Sequence, residues 1–409
     1  MSKIIPLLEY KNPEKVTSAE FNLPKTTPAL SKMWLKVMNI EQNLFPGLQA
    51  SIGTLSPREE KLMRILDFAE VERFISTVQI TNPPKDREEM ARAFVAKQVY
   101  NFQTTSALID RLKVDRTLRI LCGWRHHNAI PSEAKFSRVF NEFSKLHIAN
   151  KAHDAFIENY LSEIIFFYNS SDSTAIDQRE KPLKKEKVEK PKSKRKPGRP
   201  KKGETVAPKE PTILQQQEKM NTTDEMLSII STDCDVGIKQ NSKGNRYKWI
   251  GGKLHMSVVD GDIPITAIYS SASVHDSSLA IPLIKETSAK VSYLYDLEDA
   301  AYDAEIIKNF SLENGHRPII DINPKNSQKL KEQIETKAQE QEMLKKLNLT
   351  RSSDEHHYNQ RSSVERVNAY LKDSFGCRNI YYKGASKVSS VLSFAVLSVC
   401  IHQSLKLLT

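Results

Sequence analysis

Residues 254–269, LHMSVVDGDIPITAIY, decide how the rest of the chain is read. Two apolar runs, 254–259 and 263–269, flank Asp260-Gly261-Asp262, a strong signal for a β-hairpin. Upstream, residues 163–168 (EIIFFY) form another β-rich run that leads into Asp172-Ser173-Thr174-Ala175-Ile176. Downstream, the pattern predicts an amphipathic helix over 277–288, entered through His275-Asp276 with Asp276 as its cap. A strand over 291–295 (VSYLY), a helix over 302–314 stopped by Gly315 and a strand over 318–322 (PIIDI) follow. A charged helix over 327–347 and a last pair of helices, starting near Tyr358 and Val388, close the chain.

Apart from a basic stretch before the hairpin, the order is β, ββ, α, β, α, β and then helices. A three-strand meander followed by alternating units is the order of an RNase H-like domain. The fold expected is therefore α+β and multidomain: an all-α N-terminal region, then an RNase H-like mixed five-stranded sheet with flanking helices. The N-terminal region, 1–158, carries apolar residues at helical spacing over 57–74, 86–102 and 132–147. In the last of these Phe136, Val139, Phe140 and Phe143 make one stripe, and Lys135, Arg138, Asn141 and Lys145 lie opposite. A preceding helix, 114–121, stops at Gly123, which is compatible with a helix-turn-helix whose second helix brings Lys135 and Arg138 to DNA. A bundle helix with a charged solvent face explains the same residues. The organisation expected is a helical DNA-binding region over 1–158, the first catalytic strand over 159–178, a basic insert over 179–225 and the rest of the catalytic domain over 226–409.

The chain has 409 residues with 61 Lys plus Arg against 50 Asp plus Glu, a net charge of +11. Residues 179–211 alone hold 14 Lys plus Arg, 5 Asp plus Glu and six prolines, so nearly all the excess charge sits in one segment with little to bury. That composition predicts a disordered basic linker with an electrostatic hold on phosphates. Within it, Lys194-Arg195-Lys196-Pro197-Gly198-Arg199-Pro200-Lys201-Lys202 resembles an AT-hook, a Gly-Arg-Pro core lying in a narrow minor groove. Arg195, Lys196, Gly198, Arg199, Lys201 and Lys202 would be its DNA contacts, although Pro197 stands where a basic residue usually precedes the Gly. Cys122, Cys234, Cys377 and Cys400 show no ligand spacing, which argues against a disulfide framework or a structural zinc. The first residues lack the apolar core of a signal peptide, and the most apolar stretch, 388–400, contains four serines. A cytoplasmic protein with no membrane partner is expected.

Three acids fall where this fold would gather them: Asp172 at the end of the first strand, Asp299 just beyond the fourth, and Glu365 on the helix after the fifth. Carboxylates suit Mg²⁺ or Mn²⁺, and two such ions can activate water or a 3′-hydroxyl against a phosphodiester. Asp177 rivals Asp172, and Asp296 and Asp303 rival Asp299. There is no GxSxG, P-loop or HExxH to suggest other chemistry. Tyr358, Arg361, Glu365 and Lys372 are spaced so that one unbroken helix would hold them within roughly 60° of each other. The acid would then hold metal while the cations meet DNA phosphates. A solvated face with an i, i+4 ion pair is the plainer account.

Tyr358-x2-Arg361-x3-Glu365-x6-Lys372 resembles the Tyr-Arg-Glu-Lys signature of bacterial insertion-sequence transposases of the DDE class. The blocks Asp172-Ser-Thr-Ala-Ile, Ser271-Ala-Ser-Val-His275-Asp276, Asp299-Ala-Ala-Tyr302-Asp303 and Ser363-Val-Glu365-Arg366-Val-Asn368 are similar to that family, as is the helical stretch from Arg92 to Phe143. The resemblance implies a metal triad of Asp172, Asp299 and Glu365. It implies binding to terminal inverted repeats, cleavage, strand transfer into target double-stranded DNA, and a homodimer in a synaptic complex at the bacterial nucleoid. A catalytically inactive DNA-binding remnant and a nuclease without strand transfer are the alternatives.

Overall fold

The computed structural model describes residues 28–75, 85–182, 211–240, 244–324, 327–346 and 357–408. Eight helices come first: α1 (Pro28–Asn39), α2 (Phe45–Ile52), α3 (Pro57–Ala69), α4 (Arg87–Val99), α5 (Thr105–Val114), α6 (Arg116–Cys122), α7 (Glu133–Leu146) and α8 (Ile148–Tyr160). Their starts follow local chemistry. Ser56 and Glu59 form a capping box at α3, and Asp115 accepts the Leu118 N–H at α6, while Gly123 ends α6 at φ 109°. The stripe on α7 is buried as expected, and Phe94 of α4 packs on Phe136, Phe140 and Phe143 with ring centroids 5.8, 4.7 and 6.2 Å away.

The central strand β1 (Ile165–Gln178) leads, past the basic segment, to short helices α9 (Ile213–Gln217) and α10 (Thr223–Ser228). Strands β2 (Asp235–Gln240), β3 (Arg246–Val259) and β4 (Ile263–Ser271) form an antiparallel meander. Then come α11 (Ala280–Lys290), β5 (Ser292–Glu298), α12 (Glu305–Glu313), β6 (Arg317–Ile320), α13 (Gln328–Lys346), α14 (Ser362–Ser374), β7 (Asn379–Ile380) and α15 (Ala385–Ser404). The sheet runs β4-β3-β1-β5-β6, with β2 on the N-terminal half of β3 and β7 against the end of β1. It therefore has seven strands rather than five. The additions are β2, too short and Gly-broken to register as a strand alone, and the two-residue β7. The globular part also resumes before residue 226: Thr212 and Thr222 form capping boxes at α9 and α10, so 211–225 is not linker. The resemblance to an AT-hook lies outside the described residues.

The hairpin turns as read. Val259 pairs with Ile263, and Gly261 and Asp262 both take positive φ (78° and 60°). Asp276 does not cap the helix before α11; its carboxylate accepts from Lys253 at 2.8 Å, and that ion pair outcompetes the cap. Asn169 of β1 reaches Asp296, which also accepts from Ser311 of α12, so α11 and α12 cover this face. On the other face Ser170 donates to the Gln360 carbonyl, under α14 and α15.

Helix α15 is the one helix among the described residues long and apolar enough to cross a membrane by length and composition; here its faces are buried on all sides. It joins the helical region to the sheet, and one hydrophobic cluster runs from Met33 through the α7 stripe and the sheet to Ile401. Phe394 is fully buried against Phe94 and Phe140. The described helices before residue 161 thus share one continuous core with the sheet. Phe394→Ala should cost about 3–5 kcal/mol, and urea unfolding followed by sheet and helix probes should show one shifted transition rather than two.

Candidate active site

Strands β1 and β5 run parallel with Ser170 opposite Leu297, and the same offset brings Asp172 level with Asp299. Asp299 lies one residue past β5 but keeps extended dihedrals, φ −83° and ψ 175°, and its Oδ1 accepts from the Ala301 N–H at 2.9 Å. Opposed residues on neighbouring strands project to one face about 4.8 Å apart. The two acids predicted from sequence are thus brought together by strand register.

Burial pushes Asp172 up to about 6. The Ser173 N–H, donated to Oδ1 at 2.7 Å, opposes that, as do Lys239 and Arg361, while the charge of Asp299 adds to it. Two carboxylates in a partly dehydrated face therefore repel one another, and a hard divalent cation is the partner that relieves them.

The third acid stands apart. Among the described residues no group of three His, Cys, Asp or Glu is gathered to hold a metal. Glu365 lies in the first turn of α14, its side chain 53% exposed, and accepts from Arg361 Nη2 at 2.7 Å. Arg361 lies between the acids. Burial works against its charge, but Tyr358, Glu365 and Asp172 outweigh this and raise its pKa. Arg361 is the more buried member of the pair and Glu365 the more exposed (21% and 53%), so Glu365 is the partner with room to turn toward a cation. The residues present fit a divalent ion held by Asp172 and Asp299, with Glu365 able to join them.

The shared face expected for Tyr358, Arg361 and Glu365 is formed: the Arg361 guanidinium lies 5.7 Å from the centre of the Tyr358 ring and bonds Glu365. A 3-10 turn over Asn359–Arg361 precedes α14, and at three residues per turn it keeps Tyr358 and Arg361 on one side. Tyr358 also donates to Asp321, and burial and that bond hold its phenol well above its usual range. Lys372 is half-buried. Burial lowers its pKa, Asp177 opposes this, and Arg378 and Lys239 lower it further. Lys372 thus lies toward the Asp177 end of β1. Helix α14 is fixed by Val364, Val367 and Leu371 in the core and by Arg366, which clasps Asp262 of the hairpin turn at 2.6 and 3.0 Å.

The rival acids separate. Asp177 accepts from Tyr247 at 3.5 Å, five residues farther along β1. Asp296 is buried on the opposite face, and Asp303 pairs with Lys308 and accepts from the Asn323 N–H at 2.9 Å. One acid escaped the sequence reading: Glu298 is 1% exposed, its carboxylate has no hydrogen-bond partner among the described residues, and burial raises its pKa well above the usual range. Its alternation with Leu297 along β5 would have pointed it to the far face. Of the expected DNA contacts on α7, Lys135 is neutralised by Asp86 at 2.7 Å, while Arg138 is exposed.

Residues 224–401 match the family model described as Transposase DDE domain, and residues 51–142 match that described as Transposase domain (DUF772). The DDE match carries an RNase H-like fold, here with two extra strands. It includes Asp299 and Glu365 and begins beyond Asp172. No curated protein matches the chain.

A carboxyl whose folded pKa is raised opposes folding above that pKa and ceases to do so as the pH falls from about 6 toward its unfolded value of 3.8. Asp172→Asn should therefore stabilise the metal-free protein at pH 7 by on the order of 1–3 kcal/mol. Denaturation across pH should show that gain shrinking below pH 6, with Mg²⁺ or Mn²⁺ raising the melting temperature of the wild type only.

Proposed function

With two transposase domains as its frame, we propose that this chain is an insertion-sequence transposase of the Tyr-Arg-Glu-Lys group. It binds the terminal inverted repeats of its element, cuts there and joins the freed 3′ ends to target DNA. The observation that carries the reading is that Asp172 on β1 and Asp299, one residue past the parallel strand β5, lie within each other's field beside Arg361, which bonds Glu365. When bound, two divalent cations would polarise the scissile phosphodiester and lower the pKa of the attacking water or 3′-hydroxyl.

The chain's own residues do the rest. Asp172 and Asp299 would hold the cations on the face that the sheet presents. Glu365 would add an oxygen by leaving Arg361, whose guanidinium would then bond a phosphate oxygen in place of the carboxylate, one charge-assisted contact exchanged for another. Tyr358, tied to Asp321, fixes the chain before α14. A homodimeric synaptic complex at the nucleoid belongs to the same proposal.

The second reading, an inactive DNA-binding remnant, is favoured by the Arg361–Glu365 pair, which occupies the third acid. Incubating the protein with DNA carrying the sequences that flank its gene, with Mg²⁺ or Mn²⁺, separates the two. Wild type should nick and join, and Glu365→Gln should bind equally but react more slowly by over 100-fold, more than an outer-shell change costs a metal site. Binding without reaction in both would support the remnant, and cut ends without joined products would support a nuclease.

A further inference from the structure

The hairpin β2–β3 bears cations that the proposed function leaves unused. Lys239 pairs across it with Tyr247, and Gly237 with Trp249, so these four share one face; Val236, Ile238, Lys248 and Ile250 share the other. The first face is braced. Trp249 is 4% exposed, its Nε1 donates to the Gly252 carbonyl at 3.1 Å, and its ring lies where a Cβ on Gly237 would come within 2.2 Å. Tyr247 stands nearly parallel to Trp249, and its hydroxyl donates to Asp177 of β1. The hairpin is thus tied to the end of the strand that carries Asp172.

Lys239 is exposed on the hairpin that Tyr247 ties to Asp177, and Lys372 lies two residues before the end of α14, from which the chain passes into β7, where Asn379 pairs with the same Asp177; each lysine's charge acts on the other. Among the described residues neither Lys239 nor Lys372 forms an ion pair, whereas nearby Arg378 pairs with Asp373. Two ammonium groups held within each other's field repel, and a phosphodiester between them would remove that repulsion while releasing counterions.

We propose that Lys239 on the β2–β3 hairpin and Lys372 on α14 form a two-element phosphate clamp for the DNA strand where it leaves the carboxylates toward the Asp177 end of β1. This rests on the reading of the chain as a DNA-processing enzyme. Tyr247 and Trp249 are positioning residues that set the height of Lys239. The opposite face, with Lys248, plays no part.

The test is the salt dependence of binding by the full chain to a labelled duplex carrying the element's end, about 30 base pairs long. Lys239→Ala should lower the slope of log affinity against log salt by about 0.9, the value of one phosphate contact, and weaken binding roughly 5- to 30-fold at low salt. Lys239→Arg should restore the slope, and Lys248→Ala should leave it unchanged. Equal losses from Lys239→Ala and Lys248→Ala, or no change from Lys239→Ala in a wild type that binds and cuts, would overturn the clamp alone. A wild type that does not bind duplex DNA would overturn the clamp and the transposase reading together. A Lys239→Ala protein with unchanged DNA binding and an altered oligomeric state would assign the hairpin to a protein contact instead.

Discussion

The parallel pairing of β1 with β5 is the constraint on which the candidate site depends. Asp172 and Asp299 are far apart in the chain, and neither touches the other through a hydrogen bond. They come near each other because β1 and β5 are paired in parallel up to Ser170 and Leu297 and Asp299 keeps extended dihedrals just past the end of β5. A slip by one residue would turn one acid to the opposite face, among Asp296 and Glu298. The register with β5 is held on that far side by Asn169, which donates to its partner Asp296 at 3.0 Å, while Ser171 bonds Ser257 at 2.9 Å and holds β1 against β3. Buried polar groups of this kind add modest net stability, but leaving one unpaired costs more, so they select a single alignment.

Helix α15 gives that sheet its rigidity. A helix apolar on every side must be buried on every side, and here it is enclosed by the sheet and the N-terminal helices together. The N-terminal helices therefore act as part of the wall behind the carboxylates, and any motion between a DNA-binding region and the catalytic face would have to break this shared core. On the open side α14 is held by Val364, Val367 and Leu371 in the core, with the exposed Arg366 clasp on Asp262 added at the hairpin turn. The acid nearest that open side, Glu365, is accordingly the one that the fold leaves out of contact with the other two.

Much of this was legible in the sequence because the signals were local. The 254–269 hairpin carried its own turn, the α7 stripe its own period, and Asp172 and Asp299 stood at strand ends where the order of elements would place them. What was not legible depended on partners. Strand β2, DVGIKQ, is split by a glycine that exists for the Trp249 ring, and it reads as a strand only once β3 is laid beside it. Likewise, the spacing of Tyr358, Arg361 and Glu365 does bring them to one face, but the bond of Tyr358 to Asp321, far off in sequence, could not be read from that spacing. The aspartate expected to cap α11 was claimed by Lys253, a residue on another strand.

Charge organises the site at two ranges. Outside residues 179–211 the chain is close to neutral, so long-range attraction of DNA cannot come from the globular body as a whole. The fold holds on past β1: the Arg179 N–H donates to the Ile380 carbonyl at 3.1 Å, and Glu180 accepts from the Gly384 N–H at 2.7 Å. The end of β1 is thereby fixed six residues beyond Asp172, about 20 Å of extended chain. With a body so nearly neutral, the cations beside the acids, Arg361 above all, act at contact range, where a single guanidinium can offset the repulsion between two carboxylates that burial has partly dehydrated.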